Sequence, residues 1–329
     1  MSAILLDALL LGVGIIIILF GGDYLVRGAA SLARKTGVPA LLIGLTVVAF
    51  GTSAPEMVVS VFAALAGSPG LAVGNIVGSN IANIFLVLGI PAVIAAIGTT
   101  AKGVRTNALI ALAASLLFIG LSWDRHLSYA EGGILASLIV VYVIYLAIVA
   151  MRRRDDPVVA ELASVDEMEG LPKTNLGVAF SLIAGLIALP IGANLIVEGG
   201  SGLAVTVGVP EAVVGLTLLA IGTSLPELAT TLVAALRRQA DMAIGNVIGS
   251  NIFNVLAVGG ITGLAAGAFA GGVEVDETFF VLDFWMFMAS AVFVTLLVMS
   301  RQKMGRVTGL TLLIAYIAYL GALAWINLG

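Results

Sequence analysis

Residues 44–83 read GLTVVAFGTSAPEMVVSVFAALAGSPGLAVGNIVGSNIAN, an apolar run interrupted by a small polar cluster and a proline, with one acid, Glu56, just past the interruption. Residues 215–254 read GLTLLAIGTSLPELATTLVAALRRQADMAIGNVIGSNIFN, the same text displaced by 171 residues without an insertion and identical at 20 of 40 positions. Glu227 therefore occupies the place of Glu56. The offset also reaches upstream, where Gly21, Gly28 and Pro39 match Gly192, Gly199 and Pro210. The repeating unit is a whole half of the chain rather than a local motif.

The composition around this repeat belongs to a membrane. Of 329 residues 60% are hydrophobic and 10% charged, with a mean hydropathy of +1.17, far from the balance of a soluble domain. Many segments reach the ~20 apolar residues that a helix needs to cross ~30 Å of hydrocarbon, and the alternating signal of an outer-membrane barrel is absent. The N-terminal MSAILLDALLLGVGIIIILF has no positive leader and no small-residue cleavage site, so it reads as a retained first span. The absence of cysteine excludes disulfides, thiol catalysis and thiolate metal sites.

Ten spans are expected, at about 4–26, 38–66, 70–97, 105–122, 130–150, 175–203, 210–236, 241–270, 278–299 and 308–327. With the N-terminus outside, 14 of the 15 basic residues fall on the cytoplasmic side, leaving only Arg125 outside together with the acidic Glu274, Asp276 and Glu277. Five spans per half is an odd number, so the second half has to enter the membrane in the opposite sense. The expected fold is thus an all-α polytopic membrane protein, ten transmembrane helices arranged as two inverted five-helix repeats with broken helices at an ion site. Residues 1–150 make the first repeat and 175–329 the second. The polar stretch 151–174, with RRRDDP and Glu161, Asp166, Glu167 and Glu169, makes a cytoplasmic linker. It lacks the alternating-oxygen loop and glycine of an EF-hand.

The repeated motif carries oxygen chemistry. Pro55 and Pro226 each remove a backbone N–H and clash with the carbonyl four residues back, so both helices should break at mid-membrane and release main-chain carbonyls. Thr52 and Ser53 precede Glu56 by about one turn and share its face, as Thr223 and Ser224 share that of Glu227. On the next span Asn75, Ser79 and Asn83 recur every four residues, repeated as Asn246, Ser250 and Asn254. Gly74 with Gly78, and Gly245 with Gly249, form GxxxG faces that allow close backbone approach. Carboxylates, hydroxyls, amide oxygens and freed carbonyls suit Ca²⁺ and Na⁺, whereas zinc or copper would call for histidine or thiolate.

Small and hydroxylated residues in membrane helices usually serve packing, but an acid at a helix centre costs on the order of 2.5–3.5 kcal/mol and faces a bundle interior or a pathway. That separates Glu56 and Glu227 from the rest. Asp23, with Arg27 one turn away and Asn194 as its counterpart, reads as an ion pair or packing contact near the membrane edge, and Asp283 reads likewise. The single histidine, His126, falls in an external loop.

GTSAPE with GNIVGSNIAN, then GTSLPE with GNVIGSNIFN, resemble the paired alpha-repeats of the cation/calcium exchanger superfamily, in particular its sodium/calcium exchanger branch and bacterial relatives. The resemblance covers essentially the whole chain. It implies antiport of Ca²⁺ against Na⁺ by alternating access, with the first and sixth spans moving across a relatively fixed core. The ligands it implies are Glu56 and Glu227, with Thr52, Ser53, Thr223 and Ser224 beside them, the carbonyls of Ala49 and Ala220, and Ser79, Asn83, Ser250 and Asn254. One position departs: family members often carry an aspartate where this chain has Asn254, so two carboxylates remain. A plasma (inner) membrane location follows, with both termini external. The partners are the transported Ca²⁺ and Na⁺ and the lipid bilayer, with no resident cofactor and no nucleic acid.

Three alternatives stay open. Two acids sharing one site could exchange protons for a divalent ion, giving Ca²⁺/H⁺ or another cation/H⁺ antiport. An oxygen-lined path could also conduct as a channel. An intramembrane enzyme has little support, because the only histidine lies in a loop and two glutamates 171 residues apart could serve acid–base chemistry only if a substrate pocket existed.

Overall fold

In hydrocarbon the backbone has to satisfy its own N–H and C=O groups, and the long apolar runs of this chain accordingly fold as helices. The computed structural model describes residues 3–153, 170–206 and 221–328. In chain order the helices are α1 (Ala3–Thr36), α2 (Ala40–Thr52), α3 (Ala54–Leu65), α4 (Pro69–Ile94), α5 (Val104–Leu121), α6 (Tyr129–Arg153), α7 (Asn175–Thr206), α8 (Leu225–Leu236), α9 (Ala240–Phe269), α10 (Phe279–Ser300) and α11 (Arg306–Leu328). Among the described residues eight of them, α1, α4, α5, α6, α7, α9, α10 and α11, are long and apolar enough to cross a bilayer. The pair α2 and α3 adds a ninth crossing, bent by 40° at its break. Apolar α8 is shorter, and residues 207–220, which include 210–220 of the expected seventh span, lie outside the described residues, as does 154–169 of the linker.

The first span runs about ten residues beyond its expected end. Nothing between Arg27 and Lys35 breaks a helix, and the stop comes at Gly37, whose φ of +69° suits a left-handed cap. There the Val38 amide donates to the Ala33 carbonyl at 3.2 Å.

Helices α1 and α7 pack along one another through glycines spaced seven apart: Gly14, Gly21 and Gly28 on one, Gly185, Gly192 and Gly199 on the other, each pair again 171 residues apart. A Cβ on Gly14 would lie 2.8 Å from the Gly192 carbonyl oxygen, and one on Gly192 would lie 2.8 Å from the Ile18 nitrogen. Backbones meet where side chains are absent, which is how helices associate closely without a hydrophobic driving force. The main core lies elsewhere, on the nearly buried faces of α4 and α9, with α5, α6, α10 and α11 outside them.

Two short strands, His126–Leu127 and Val273–Glu274, pair antiparallel and tie the α5–α6 connection to the α9–α10 connection. His126 is therefore not a free loop residue: its Nε2 lies 3.0 Å from the Gly271 carbonyl oxygen. Arg125 forms an ion pair with Glu277, so the one basic residue expected outside sits within the acidic run. Asp276 accepts from the Thr278 amide at 2.8 Å, and that amide with the Thr278 hydroxyl holds its carboxyl below the usual carboxylate range.

Candidate cation site

Both motif helices break in the same way. At the first break Ser53 sits at φ −83°, ψ −1°, and at the second Ser224 sits at φ −86°, ψ 0°. Pro55 and Pro226 then occupy the first turn of α3 and α8, where a missing N–H costs nothing. The break thus falls just before each proline, and Glu56 and Glu227 land in the first turn of the following helix, near its partial positive end. Both are 0% exposed.

The next helix clamps each break from behind. The Asn75 carboxamide donates to the Glu56 carbonyl at 3.0 Å and to the Ser60 hydroxyl at 2.9 Å. In the other half the Asn246 carboxamide donates to the Glu227 carbonyl at 3.4 Å and to the Thr231 hydroxyl at 3.0 Å. Each clamping helix then widens into one π-helical turn, Asn83–Val87 in α4 and Asn254–Val258 in α9. Such widened turns are frequent at functional sites, and here each begins on the last residue of the motif.

The halves meet at this level. The Asn83 carboxamide donates to Asn251 Oδ1 at 3.0 Å, Asn251 donates to the Asn80 carbonyl at 3.3 Å, and Asn254 donates to the Ser79 hydroxyl at 2.9 Å. Thr52 Oγ1 lies 3.3 Å from Ser250 Oγ and 3.4 Å from Asn246 Oδ1. Because Asn246 also clamps the Glu227 carbonyl, these contacts join the break of one half to that of the other.

Buried polar groups are normally paired, so the exceptions are informative. The amide nitrogens of Asn75, Asn80, Asn83, Asn246, Asn251 and Asn254 all donate to protein acceptors. The atoms left without a partner in this region are all oxygens: both carboxylate oxygens of Glu56 and of Glu227, the hydroxyls of Ser53, Thr223 and Ser224, and Oδ1 of Asn80, Asn83 and Asn254. A buried cluster of carboxylate, hydroxyl and amide oxygens whose neighbouring amide nitrogens are already engaged fits a hard cation, which would neutralise the carboxylates and satisfy the neutral oxygens together.

The expected site residues do not all stand alike. Glu56, Glu227, Ser53, Thr223, Ser224, Asn83 and Asn254 carry the unpartnered oxygens, and Thr52 and Ser250 join across the halves. Ser79 donates to the Asn75 carbonyl at 2.6 Å while accepting from Asn254, so its oxygen also orients a neighbour. The Ala49 carbonyl accepts from the Ser53 amide at 3.0 Å and the Thr52 hydroxyl at 3.3 Å. Ala220 lies outside the described residues. Asn80 and Asn251 were missed by the four-residue stripe of Asn75, Ser79 and Asn83, although both stand in the repeated GSN and their identity in the two halves was the available signal. Away from the cluster, Asp23 is paired with Arg27 at 2.8 Å, and Asp283 accepts from the Tyr319 hydroxyl at 2.5 Å.

Apolar helices long enough to cross a membrane enclose a buried oxygen cluster, and the family and fold that the chain matches are those of exchangers. The chain belongs to the sodium/calcium exchanger protein family, whose pattern matches residues 6–151 and 177–325, one stretch on either side of the linker. It is 35% identical to the inner membrane protein YrbG of Escherichia coli, over 98% of both chains. It is 31% identical to the sodium/calcium exchanger MaX1 of Methanosarcina acetivorans, over 98% of this chain and 100% of that one. Among solved structures it resembles the sodium-calcium exchanger NCX_Mj soaked with Na⁺ and Sr²⁺, with a TM-score of 0.79 and 30% identity over 97% of this chain and 98% of that one.

Proposed function

We propose that this protein is a secondary active antiporter that exchanges Ca²⁺ for Na⁺ by alternating access. The observation that carries this reading is the buried cluster in which each amide nitrogen is engaged and the unpartnered atoms are oxygens, two carboxylates among them. Ca²⁺ takes six to eight such oxygens, and two carboxylates balance its charge. Glu56 and Glu227 are the central ligands, Thr52, Ser53, Thr223, Ser224, Asn83 and Asn254 complete the shell, and Ser79, Ser250, Ala49 and Ala220 border it. Na⁺ occupies the same oxygens one charge at a time, so the two ions exclude each other.

The carrier is built from two inverted five-helix repeats, 1–150 and 175–329, joined by a cytoplasmic linker at 151–174, with ten spans and both termini outside. The matching breaks at Ser53 and Ser224 and the matching asparagine clamps support the repeat. The name of the Escherichia coli relative supports a plasma (inner) membrane location. Alternating access proceeds by movement of α1 and α7, already strapped together by their glycines, across the helices that hold the glutamates.

A second reading, Ca²⁺/H⁺ exchange, is favoured by Asn254 in the place of a third acid, since two carboxylates can trade one Ca²⁺ for two protons without residual charge. Uptake of ⁴⁵Ca²⁺ into proteoliposomes separates the two. An outward Na⁺ gradient should drive accumulation and an outward H⁺ gradient should not. Uptake driven by protons alone would reverse the assignment, and uptake with no counter-ion gradient would indicate a channel.

A further inference from the structure

The repeat supplies an internal control for each contact, because a residue in one half has its counterpart 171 positions away in the other. The clamps around the glutamates keep that symmetry, but the covering of the two glutamate helices does not. Helix α1 lies directly on α8: a Cβ on Gly22 would come 3.2 Å from the Ala229 carbonyl oxygen, and Ala229 and Val233, packed among Ile18, Leu25 and Val26 of α1, are 4% and 7% exposed. Their counterparts on α3 are Val58 and Phe62, 55% and 68% exposed. Helix α7, the counterpart of α1, does not pack along α3 as α1 packs along α8. The α8 face is closed over by α1, and the equivalent α3 face is left uncovered by α7.

The closed face carries charges that the other lacks. Arg237, the C-cap of α8, donates through Nε to Asp23 Oδ1 of α1 at 2.8 Å and places Nη2 at 2.5 Å from the same oxygen, while Arg27 Nε lies 2.8 Å from Oδ2. These side chains are two-thirds or more shielded, which strengthens the pair relative to a fully hydrated one. The counterparts of Asp23 and Arg237 are Asn194 and Ala66, and Glu198 stands in the place of Arg27. No such pair can form at the equivalent place.

We infer that Asp23 and Arg237 form an ionic latch that holds α1 against α8 and keeps the path to Glu56 and Glu227 shut at the end where α8 terminates. That end is cytoplasmic in the orientation proposed above. The latch biases an otherwise two-fold design: closing the cytoplasmic side gains an ion pair, and closing the external side between α7 and α3 gains none. The resting carrier therefore faces outward. This inference rests on the carrier reading, but its test needs no ion flux.

The chain contains no cysteine, so Val233→Cys in the full-length protein provides a single thiol buried under α1. In inside-out vesicles a membrane-impermeant maleimide should label it slowly. Asp23→Asn and Arg237→Ala, each copying the neutral residue of the other half, should each raise the labelling rate about five- to tenfold. Together they should raise it no further than either alone, because both remove one contact. Unchanged labelling in both single variants would overturn the latch, and so would fully additive acceleration, which would mean two unrelated defects. Monodisperse elution of each variant excludes unfolding as the cause of faster labelling. If labelling accelerates while Ca²⁺ flux proves independent of Na⁺, the latch stands and the exchange reading falls; if Na⁺-driven flux holds while labelling never changes, only the latch falls.

Discussion

Glu56 and Glu227 differ from every other polar residue of the cluster in being carboxyls, and all four of their oxygens lack a hydrogen-bond partner in the protein. Glu56→Gln and Glu227→Gln keep size and burial but leave a site with one carboxylate facing a divalent ion, and each should lower Na⁺-driven ⁴⁵Ca²⁺ exchange by at least about a hundredfold without changing elution or thermal stability. Near-normal flux in either variant would remove the assignment. Thr52→Ala, which deletes a neutral oxygen that water can replace, should cost only about three- to tenfold. Protons and Ca²⁺ compete for the same carboxylates, since the ion binds only when both are deprotonated. Apparent Ca²⁺ affinity at fixed Na⁺ should therefore weaken as pH is lowered from 9 to 5 and should do so more steeply in Asn254→Asp, where a third acid must also lose its proton. Affinity flat over that range would mean that the two glutamates do not share a cation. At this scale the sequence was most legible, because an acid in an apolar span is costly and two at matching places need a shared reason. The division of labour among the asparagines was not legible: Asn75, Asn83, Asn246 and Asn254 look alike in sequence, and only the hydrogen-bond partners separate the clamps from the residues whose oxygens stay free.

Helix breaks, π turns and glycine seams are properties of elements, and the sequence revealed them unequally. The two breaks follow from Pro55 and Pro226, whose missing N–H is a local fact. The π turns at Asn83–Val87 and Asn254–Val258 contain no proline or glycine, so no residue type within them announced them. The GxxxG face of α9 was legible and proves tight: a Cβ on Gly249 would lie 2.7 Å from the Ala49 Cβ and 2.9 Å from the Leu45 Cα, and one on Gly245 would lie 2.7 Å from the Leu41 carbonyl oxygen. Among the described residues a Cβ on Gly74 would meet only the Phe279 ring, at 3.7 Å, and one on Gly78 nothing within 4 Å. Because backbone cannot yield as a flexible side chain can, Gly249→Val should destabilise the protein by about 1–3 kcal/mol or more, seen as a lower unfolding temperature in detergent. Gly12→Ala, where no described atom lies within 4 Å, is the matched control and should be neutral. Equal unfolding temperatures for the two variants would show that α9 does not depend on this close approach.

At the scale of the whole molecule the decisive quantity is the sense in which each half crosses the membrane. A duplicated unit with an even number of spans would place its two copies parallel, and the two glutamate helices would then run from the midplane toward the same side. An odd number would turn the second copy over, so that α3 and α8 would run from the midplane toward opposite sides. Equivalent residues of inverted copies meet at one level only near the midplane, and the crossing of Asn83 to Asn251 and of Asn254 to Ser79 fits the midplane site proposed above. Charge gives an independent reading of the same topology: with the N-terminus outside, 14 of 15 basic residues are cytoplasmic, and a single miscounted span would scatter them. Arg125, the one basic residue that this topology would place outside, pairs with Glu277. Single cysteines introduced at position 2, within 151–174 and at position 329 of this cysteine-free chain should accordingly react with an impermeant maleimide from outside, from inside and from outside respectively. A linker that labels from outside would reverse the orientation, and termini that label from opposite sides would mean an odd total of spans. The second outcome would break the inverted repeat itself, because two equal copies cannot sum to an odd number of crossings.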